Sequence, residues 1–280
     1  MKSRKTNRRW SRDEGVRQVD WRDTMIDIHC HILPELDDGV RTLDESRALG
    51  ELLIDQGVTT VVATPHVFDL RYPTPSSDEI MGQLSRVKEA LAGRVNIVCG
   101  AEVRLVPEIM TVLDRKEIFI NGGRYLLIEF PGGLIPHGTE NLLFELMAVG
   151  VRPIIAHPER HRRLLADPDR LARLVQMGCY AQLDAPCLLE KREQRRIALG
   201  WIRAGLIHCV ASDAHRPRWR PPKLITAYQE VEKTCGLEIA RALFIENPRA
   251  IIQDEELPFA PAVEPARKPI GGWWRRWWWT

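Results

Sequence analysis

The stretch MIDIHCH at residues 25–31 decides how the rest of the chain is interpreted. It is an apolar run that ends in two histidines, which is the composition of a buried β-strand with a polar end. Successive side chains of a strand point to opposite faces, so His29 and His31 should share one face. We therefore predict a strand over these residues that directs both imidazoles toward the interior or mouth of a barrel. Ile28 and Cys30 should face surrounding helices.

Six further short apolar runs follow this one, and helical patterns separate them. The predicted strands are Val58–Ala63, Val95–Cys99, Tyr125–Phe130, Pro153–Ala156, Cys179–Leu183 and Ile207–Ser212. Helices are predicted over about 43–56, 77–92, 139–149, 168–177, 188–204, 222–234 and 237–245, with a short helical stretch near 107–115. Thr42 and Ser76 are each followed three residues later by Glu, the pattern of a capping box. Strands that alternate with helices indicate an α/β fold with a parallel sheet, and seven or eight such units in 280 residues favour a closed TIM-like barrel.

Composition excludes several classes of protein. The net charge is +2, with 44% apolar and 28% charged residues, which is ordinary for a soluble protein and gives no indication of nucleic-acid binding. The sequence contains no run of 18 apolar residues, so no membrane span is predicted. The first ten residues are basic and lack the apolar core of a secretory signal. None of the six cysteines forms C-x-x-C, so we predict free thiols in a reducing cytoplasm.

The two ends differ from the centre. Residues 1–24 are basic without apolar periodicity and are predicted to be a flexible extension. Residues 25–255 should form the barrel. Residues 256–280 combine a Pro-rich linker with the tail GGWWRRWWWT, whose Trp and Arg suit a membrane–water interface or a protein groove. A peripheral contact with the inner face of the membrane and a tail without a role are the alternatives.

Metal-type ligands follow the carboxyl ends of the predicted strands. In a parallel barrel those ends meet at one face, where the active site lies. Mixed imidazole and carboxylate ligands suit Mn, Fe or Zn, and about nine of them are too many for one ion but suit two or three ions bridged by a carboxylate. His208 lies within a predicted strand and should be packed in the core, whereas His137 and His161 lie near the mouth and could touch substrate. The residues of metal-ligand type at the strand ends are Asp27, His29, His31, Asp37, Asp38, His66, Glu102, Glu129, His157, Glu159, Asp213 and His215.

The D-x-H-x-H motif at 27–31 and the D-x-H motif at 213–215 resemble those of the PHP (polymerase and histidinol phosphatase) superfamily. One branch is more similar still: the manganese-dependent protein-tyrosine phosphatases of capsule and exopolysaccharide clusters, of the CpsB/YwqE type. Its motifs match DDG at 37–39, ATPH at 63–66, GAE at 100–102, LIEF at 127–130, AHPER at 156–160 and RPP at 220–222. The resemblance covers about residues 24–250. It implies a distorted (β/α)₇ barrel of the PHP type and hydrolysis of phosphotyrosine by metal-activated water.

Carried over by position, the resemblance implies three ions, with Mn²⁺ as the cofactor and Fe or Zn as alternatives. The first would be held by His29, His31, Glu102 and Asp213, the second by Glu102, Glu129 and His157, and the third by Asp38, His66 and His215. Arg160 and Arg220 match the catalytic arginines that bind phosphate. The implied partner is a phosphotyrosine protein, a bacterial tyrosine kinase with a tyrosine-rich tail in capsule or exopolysaccharide synthesis.

Three other interpretations compete with this one. A PHP phosphoesterase for a small-molecule phosphate monoester is disfavoured by Asp38 in its Asp-Asp-Gly setting and by Glu129, where other PHP branches tend to carry histidine. A non-catalytic metal-bound scaffold is disfavoured by the complete ligand set with both arginines. Cys235 and Arg241 have the C-x5-R spacing of cysteine-dependent phosphatases, but helical periodicity through the segment predicts a helix there. The segment 182–187 departs from the small hydroxyl or amide residues usual in the family.

Overall fold

The computed structural model describes residues 25–132, 135–190 and 192–259. The strands are β1 Met25–Cys30, β2 Val58–Ala63, β3 His66–Val67, β4 Asn96–Cys99, β5 Glu102–Arg104, β6 Tyr125–Glu129, β7 Arg152–Ala156, β8 Tyr180–Asp184 and β9 Cys209–Ala211. The α-helices are α1 Leu43–Asp55, α2 Ser77–Ala90, α3 Thr139–Ala148, α4 Arg162–Ala166, α5 Pro168–Met177, α6 Arg192–Arg203, α7 Leu224–Cys235, α8 Leu237–Arg241 and α9 Asn247–Ile252. The predicted extension 1–24 and the tail from residue 260 onward lie outside the described residues.

All pairings between these strands are parallel, and the strands close into a barrel of seven units. One sheet has the order β1-β2-β4 and the other β3-β5-β6-β7-β8-β9. The ring closes where the His31 N–H donates to the Ala214 carbonyl (2.8 Å) and the Asp213 N–H donates to the His29 carbonyl (2.9 Å). The prediction of an α/β, TIM-like barrel is thus confirmed.

Two of the seven units are interrupted, which the sequence did not reveal. The second unit is divided into β2 and β3, and the third unit into β4 and β5. Strand β2 pairs with β4, and β3 pairs with β5. Between β2 and β3 lies Pro65, which has no N–H to donate to a ladder. Its carbonyl instead accepts from the Glu102 N–H at 3.1 Å. The break lets His66 and Glu102 pair directly in β3 and β5, at the carboxyl end of the barrel.

A bulge in β1 overturns the predicted orientation of Ile28. Asp27 pairs with Val61 and Cys30 with Ala63, so β1 contains one extra residue between those positions. The Asp27 carboxylate holds the bulge by accepting from the backbone N–H groups of His29 (3.3 Å) and Ser212 (2.9 Å). Ile28 therefore joins the apolar cluster inside the barrel, whereas Cys30 packs in the outer cluster beneath the helices, as predicted.

Helices α1 and α2 begin where the sequence indicates. The Ser76 hydroxyl accepts from the Glu79 N–H (3.2 Å), and the Glu79 carboxylate accepts from the Ser76 N–H (2.8 Å), a complete capping box for α2. Cys235 ends α7 and Leu237–Arg241 forms α8, so the C-x5-R segment is helical on both sides of Gly236 and forms no phosphate loop. Within the described residues, no helix has the length and apolar character needed to cross a bilayer.

Candidate metal centre

Four side chains meet at the mouth of the barrel: those of His29 and His31 at the end of β1, of Glu102 at the start of β5 and of Asp213 just after β9. His29 Nε2 and His31 Nε2 lie 3.2 Å apart, and they lie 3.2 and 3.3 Å from Glu102 Oε2. Asp213 Oδ1 is 3.4 Å from His29 Nε2 and 3.3 Å from His31 Nε2. All four residues are buried, and the strand ends converge here as the parallel barrel requires.

His157 extends this group on one side, whereas Glu129 belongs to a separate group. His157 Nε2 lies 2.6 Å from Glu102 Oε1, so both carboxylate oxygens of Glu102 face imidazoles. The ligand atoms of His29, Glu102 and His157 lie within 4.8 Å of one another. Glu129 instead groups with His66 and Asp69 within the same distance, and the sequence analysis did not single out Asp69.

A third group lies on the other side of His31. The ligand atoms of His31, Asp38, His66 and His215 lie within 4.8 Å of one another. Asp38 Oδ1 is 3.5 Å from His66 Nε2 and 3.4 Å from His215 Nε2. Because His66 Nδ1 also lies 3.2 Å from Glu102 Oε2, this group adjoins the first one. The structure thus brings together the nine residues that the sequence indicated as ligands.

Buried carboxylate oxygens without a hydrogen-bond partner indicate whether these residues suit metal ions. Asp38 Oδ1, Glu129 Oε2 and Asp213 Oδ1 are buried and accept no hydrogen bond from any described residue. Buried polar atoms in proteins are nearly always satisfied, so three such oxygens among imidazoles suit cations. The donors are imidazoles and carboxylates without thiolate, which fits Mn, Fe or Zn. Thus the residues present fit a centre with more than one ion.

A second layer of side chains orients the imidazoles. His29 Nδ1 contacts Gln182 Oε1 at 3.0 Å, and His31 Nδ1 contacts Asp37 Oδ2 at 2.7 Å. His215 Nδ1 contacts the Asp213 carbonyl at 3.0 Å. In each case the bond fixes the ring so that Nε2 faces the centre, as is usual for histidine ligands of metals. Sequence reasoning missed Asp37 and Gln182 as orienting residues.

Burial and neighbouring charges hold the titratable groups away from their ordinary pKa values. Burial raises the pKa of Glu102, but His29, His66 and His157 hold it well below its usual range. Burial lowers the pKa of His157, yet the Glu102 carboxylate raises it to about 9. Burial and the neighbouring charge of Glu102 raise the pKa of Glu129. A cation in the centre would compete with the protons on these imidazoles.

Arg160 and Arg220 close over the Asp213 side of the centre. Arg160 Nη1 lies 2.7 Å from Asp213 Oδ2, and Arg220 Nη2 donates to the same oxygen. Arg160 Nη2 also donates to Asp184 Oδ2, while Arg220 Nη1 lies 2.9 Å from His215 Nε2. The two guanidiniums keep 38% and 26% of their side-chain surface exposed, so they border the open mouth.

Several site residues adopt left-handed backbone conformations that side chains disfavour. The φ angles of His157, Asp213 and Arg220 are +28°, +48° and +58°. Such conformations cost on the order of 1–3 kcal/mol each and persist only where the surroundings impose them, most often at functional sites. Two candidate ligands and one candidate phosphate-binding arginine share this property.

The remaining histidines lie outside the centre. His137 lines a groove of about 260 Å³ beside the loops that follow β5 and β6, together with Leu105 and Pro131. His161 is buried, with Nε2 at 3.2 Å from the Pro131 carbonyl. His208 is buried as predicted, and its Nδ1 accepts from the Ala181 N–H at 3.2 Å.

Comparisons with known proteins agree with this geometry. The family described as capsular polysaccharide synthesis, CpsB/CapC, matches residues 25–253. Tyrosine-protein phosphatase CpsB of Streptococcus pneumoniae is 34% identical over 82% of this chain and 99% of its own length. Tyrosine-protein phosphatase YwqE of Bacillus subtilis is 32% identical over 89% of this chain and 99% of its own length. A crystal structure from the work on these two proteins, described as unique metal-dependent tyrosine phosphatases, has a TM-score of 0.81 at 31% identity, covering 87% of this chain and 100% of its own.

Proposed function

The chain belongs to the CpsB/CapC family of capsular polysaccharide synthesis, and on that premise we propose that it is a metal-dependent protein-tyrosine phosphatase. The observation that carries the proposal is the pair of arginines that meet at Asp213, directly beside the cluster of buried imidazoles and carboxylates. That arrangement places cationic donors and candidate ligands on the same side of the barrel, where a phosphate monoester can reach both.

The nine clustered residues would hold two or three ions, for which we propose Mn²⁺. Glu102 is the candidate shared ligand, because its two oxygens face His29, His31 and His66 on one side and His157 on the other. When bound, the ions neutralise the dianionic phosphate and lower the pKa of a coordinated water toward neutrality.

Arg160 and Arg220 bind and orient the phosphate in this proposal. A guanidinium offers two parallel N–H donors that match two oxygens of a phosphate, which a lysine ammonium does not. Asp184 and Asp213 fix Arg160 from two directions. Asp184 is itself held by Glu159, whose Oε1 accepts from the Asp184 N–H at 3.0 Å.

We propose hydrolysis by direct attack of water. Cys30 Sγ lies 3.6 Å from the Ala214 carbonyl in the outer cluster, and the Ser212 hydroxyl donates to Asp27. Neither is therefore aimed at the centre as a nucleophile. A phenolate leaves with a pKa near 10, so it needs less help from a general acid than an alkoxide does. This difference supports phosphotyrosine as the substrate.

We further propose that the substrate is the tyrosine-rich tail of a bacterial tyrosine kinase in capsule or exopolysaccharide synthesis. The family description and the names of the relatives support this partner class. A cytoplasmic location is proposed with it, because four of the six free cysteines are buried thiols of the kind that reducing compartments preserve. His137 is proposed to touch the polypeptide around the phosphotyrosine, since it lines the groove beside the mouth.

The test is a panel of substrates for the Mn²⁺-loaded protein: a phosphotyrosine peptide, the same peptide with phosphoserine, and histidinol phosphate. We expect phosphate release from phosphotyrosine alone, and no phosphoprotein after acid quench. Turnover of histidinol phosphate instead would replace the substrate class. No turnover of any of them would contradict the assignment of an enzyme.

A further inference from the structure

The segment 215–220 is a closed turn at the rim of the mouth. The His215 N–H donates to the Arg220 carbonyl at 3.1 Å. Arg216 and Trp219 exchange two backbone bonds, at 3.0 Å from the Arg216 N–H and 3.2 Å from the Trp219 N–H. Pro217 follows Arg216, and its fixed φ favours a tight turn. The turn therefore places Trp219 beside the centre through backbone bonds that do not depend on the indole.

The Trp219 ring borders both kinds of candidate residue. It meets the His215 ring edge to face, with centroids 5.5 Å apart and planes at 83°. The guanidinium of Arg220 lies 5.8 Å from the indole centroid and that of Arg216 lies 5.6 Å from it, within the range of cation–π contact. Arg216 is anchored in turn, since its Nε donates to the Gly39 carbonyl at 2.7 Å. The indole is thus held in place from more than one side.

Trp219 is nevertheless 51% exposed. Burying a large aromatic surface is favourable. The exposed part of the Trp219 indole at the rim of this polar site can therefore pack against an apolar group of a bound molecule. Arg220, which borders the indole, lies with Nη1 at 2.9 Å from Nε2 of His215, a candidate ligand of the third group. A phosphate bound between these groups would leave its organic substituent at the indole.

We propose that Trp219 is a specificity-determining residue that contacts the phenyl ring of phosphotyrosine. This inference rests on the proposed function and adds the recognition of the leaving group to it. One C–O–P linkage separates the phosphorus from the aromatic ring, so a phosphate held by Arg220 brings the ring to the rim. Aromatic pairs favour offset-stacked or edge-to-face contact, whereas the short alkyl group of phosphoserine offers little area there.

The experiment compares the full-length Mn²⁺-loaded protein with Trp219→Ala, Trp219→Phe and Phe144→Ala. Phe144 is a matched control, because it is an exposed aromatic residue (62%) on α3. Two quantities are measured for each protein: the KM for phenyl phosphate and for a phosphotyrosine peptide, and the Ki of inorganic phosphate. Inorganic phosphate probes the arginines and the metal centre without any ring.

We expect Trp219→Ala to raise KM for both aryl substrates about 3- to 10-fold, the range of an aromatic pair, with kcat nearly unchanged. The Ki of phosphate should stay within about 2-fold, Trp219→Phe should recover most of the KM, and Phe144→Ala should change neither quantity. An unchanged KM in Trp219→Ala would overturn the proposal. So would a parallel rise of KM and Ki, because the indole would then act on the arginines. If wild-type protein releases no phosphate from phosphotyrosine, the proposed function itself fails, which is a separate result.

Discussion

Replacing Asp37 by Asn tests how much the second layer contributes to metal binding. Asp37 Oδ2 contacts His31 Nδ1 at 2.7 Å and accepts from the His66 N–H at 3.1 Å, while Oδ1 accepts from the Gly39 N–H at 2.8 Å. Asn keeps the shape and one carbonyl oxygen but removes the charge. Loss of a carboxylate that orients a histidine ligand typically weakens metal binding about 10- to 100-fold. That corresponds to about 1.4–2.7 kcal/mol.

The pH at which this loss is measured matters, because Asp37 acts on His31 in two ways. Burial lowers the pKa of His31, but the Asp37 carboxylate and neighbouring acids raise it well above its ordinary value. The carboxylate therefore makes His31 a better ligand and also stabilises the proton that a metal must displace. Removing the charge weakens the ligand at every pH and relieves proton competition only where His31 is protonated. The loss of affinity in Asp37→Asn should therefore be larger at high pH than at neutral pH.

The assay is calorimetric titration of Mn²⁺ into metal-stripped protein at pH 7 and at pH 9. Asp44→Asn serves as the control, since the Asp44 side chain on α1 is 92% exposed. Unchanged Mn²⁺ affinity in Asp37→Asn, or an equal loss in Asp44→Asn, would refute the role given to the second layer. A loss that shrinks as the pH rises would refute the account of proton competition.

Three further predictions address the arginines, the close packing and the protonation of the centre. Arg160→Lys should lower kcat about 10²- to 10³-fold, by analogy with the loss of one oxyanion donor. The Mn²⁺ content measured by mass spectrometry should stay the same, and a near-normal kcat would contradict the proposal that Arg160 binds the phosphate. Gly39→Ala should lower the free energy of unfolding, measured with denaturant, by about 1–3 kcal/mol, because a Cβ at this position would lie 2.3 Å from the His31 carbonyl oxygen. Gly82→Ala is the control: its Cβ would meet no atom within 4 Å, so the change should be neutral or stabilising. Mn²⁺ affinity should rise as the pH increases from 7 to about 9, because His157 is protonated below that pKa and must release its proton to bind metal; an affinity that falls over this range would show the sign to be wrong.

The fold could be predicted from the sequence because its signals are local. Apolar runs separated by helical patterns gave all seven barrel units, and the helix predicted over 168–177 coincides with α5. The predicted helix boundaries differ from the structure where the chain departs from a regular α-helix. The predicted helix 188–204 is a 3-10 turn at Ala185–Leu188 followed by α6, and the predicted helix 237–245 is α8 followed by a π-turn over Ala242–Glu246.

The bulge in β1 could not be predicted, because its cause is remote in sequence. The Asp27 carboxylate stabilises the bulge by accepting from the N–H of Ser212, which is 185 residues away in the sequence. The sequence of residues 25–31 does not indicate that hydrogen bond. The second layer was hidden for a similar reason. Asp37 and Asp38 are adjacent and chemically identical. The resemblance implied that Asp38 groups with His66 and His215, but only the folded chain shows that Asp37 supports His31. Gln182 likewise becomes recognisable only beside His29.

The central claim is that a centre of two or three ions, held at the mouth of this barrel, hydrolyses phosphotyrosine. Titrating Mn²⁺ into metal-stripped protein tests it most directly, with bound metal and phosphate release from a phosphotyrosine peptide followed in the same samples. We expect no phosphate release without metal and a rise that saturates only when two or three ions are bound per chain. Full turnover by the metal-free protein, or full turnover with a single bound ion, would contradict it.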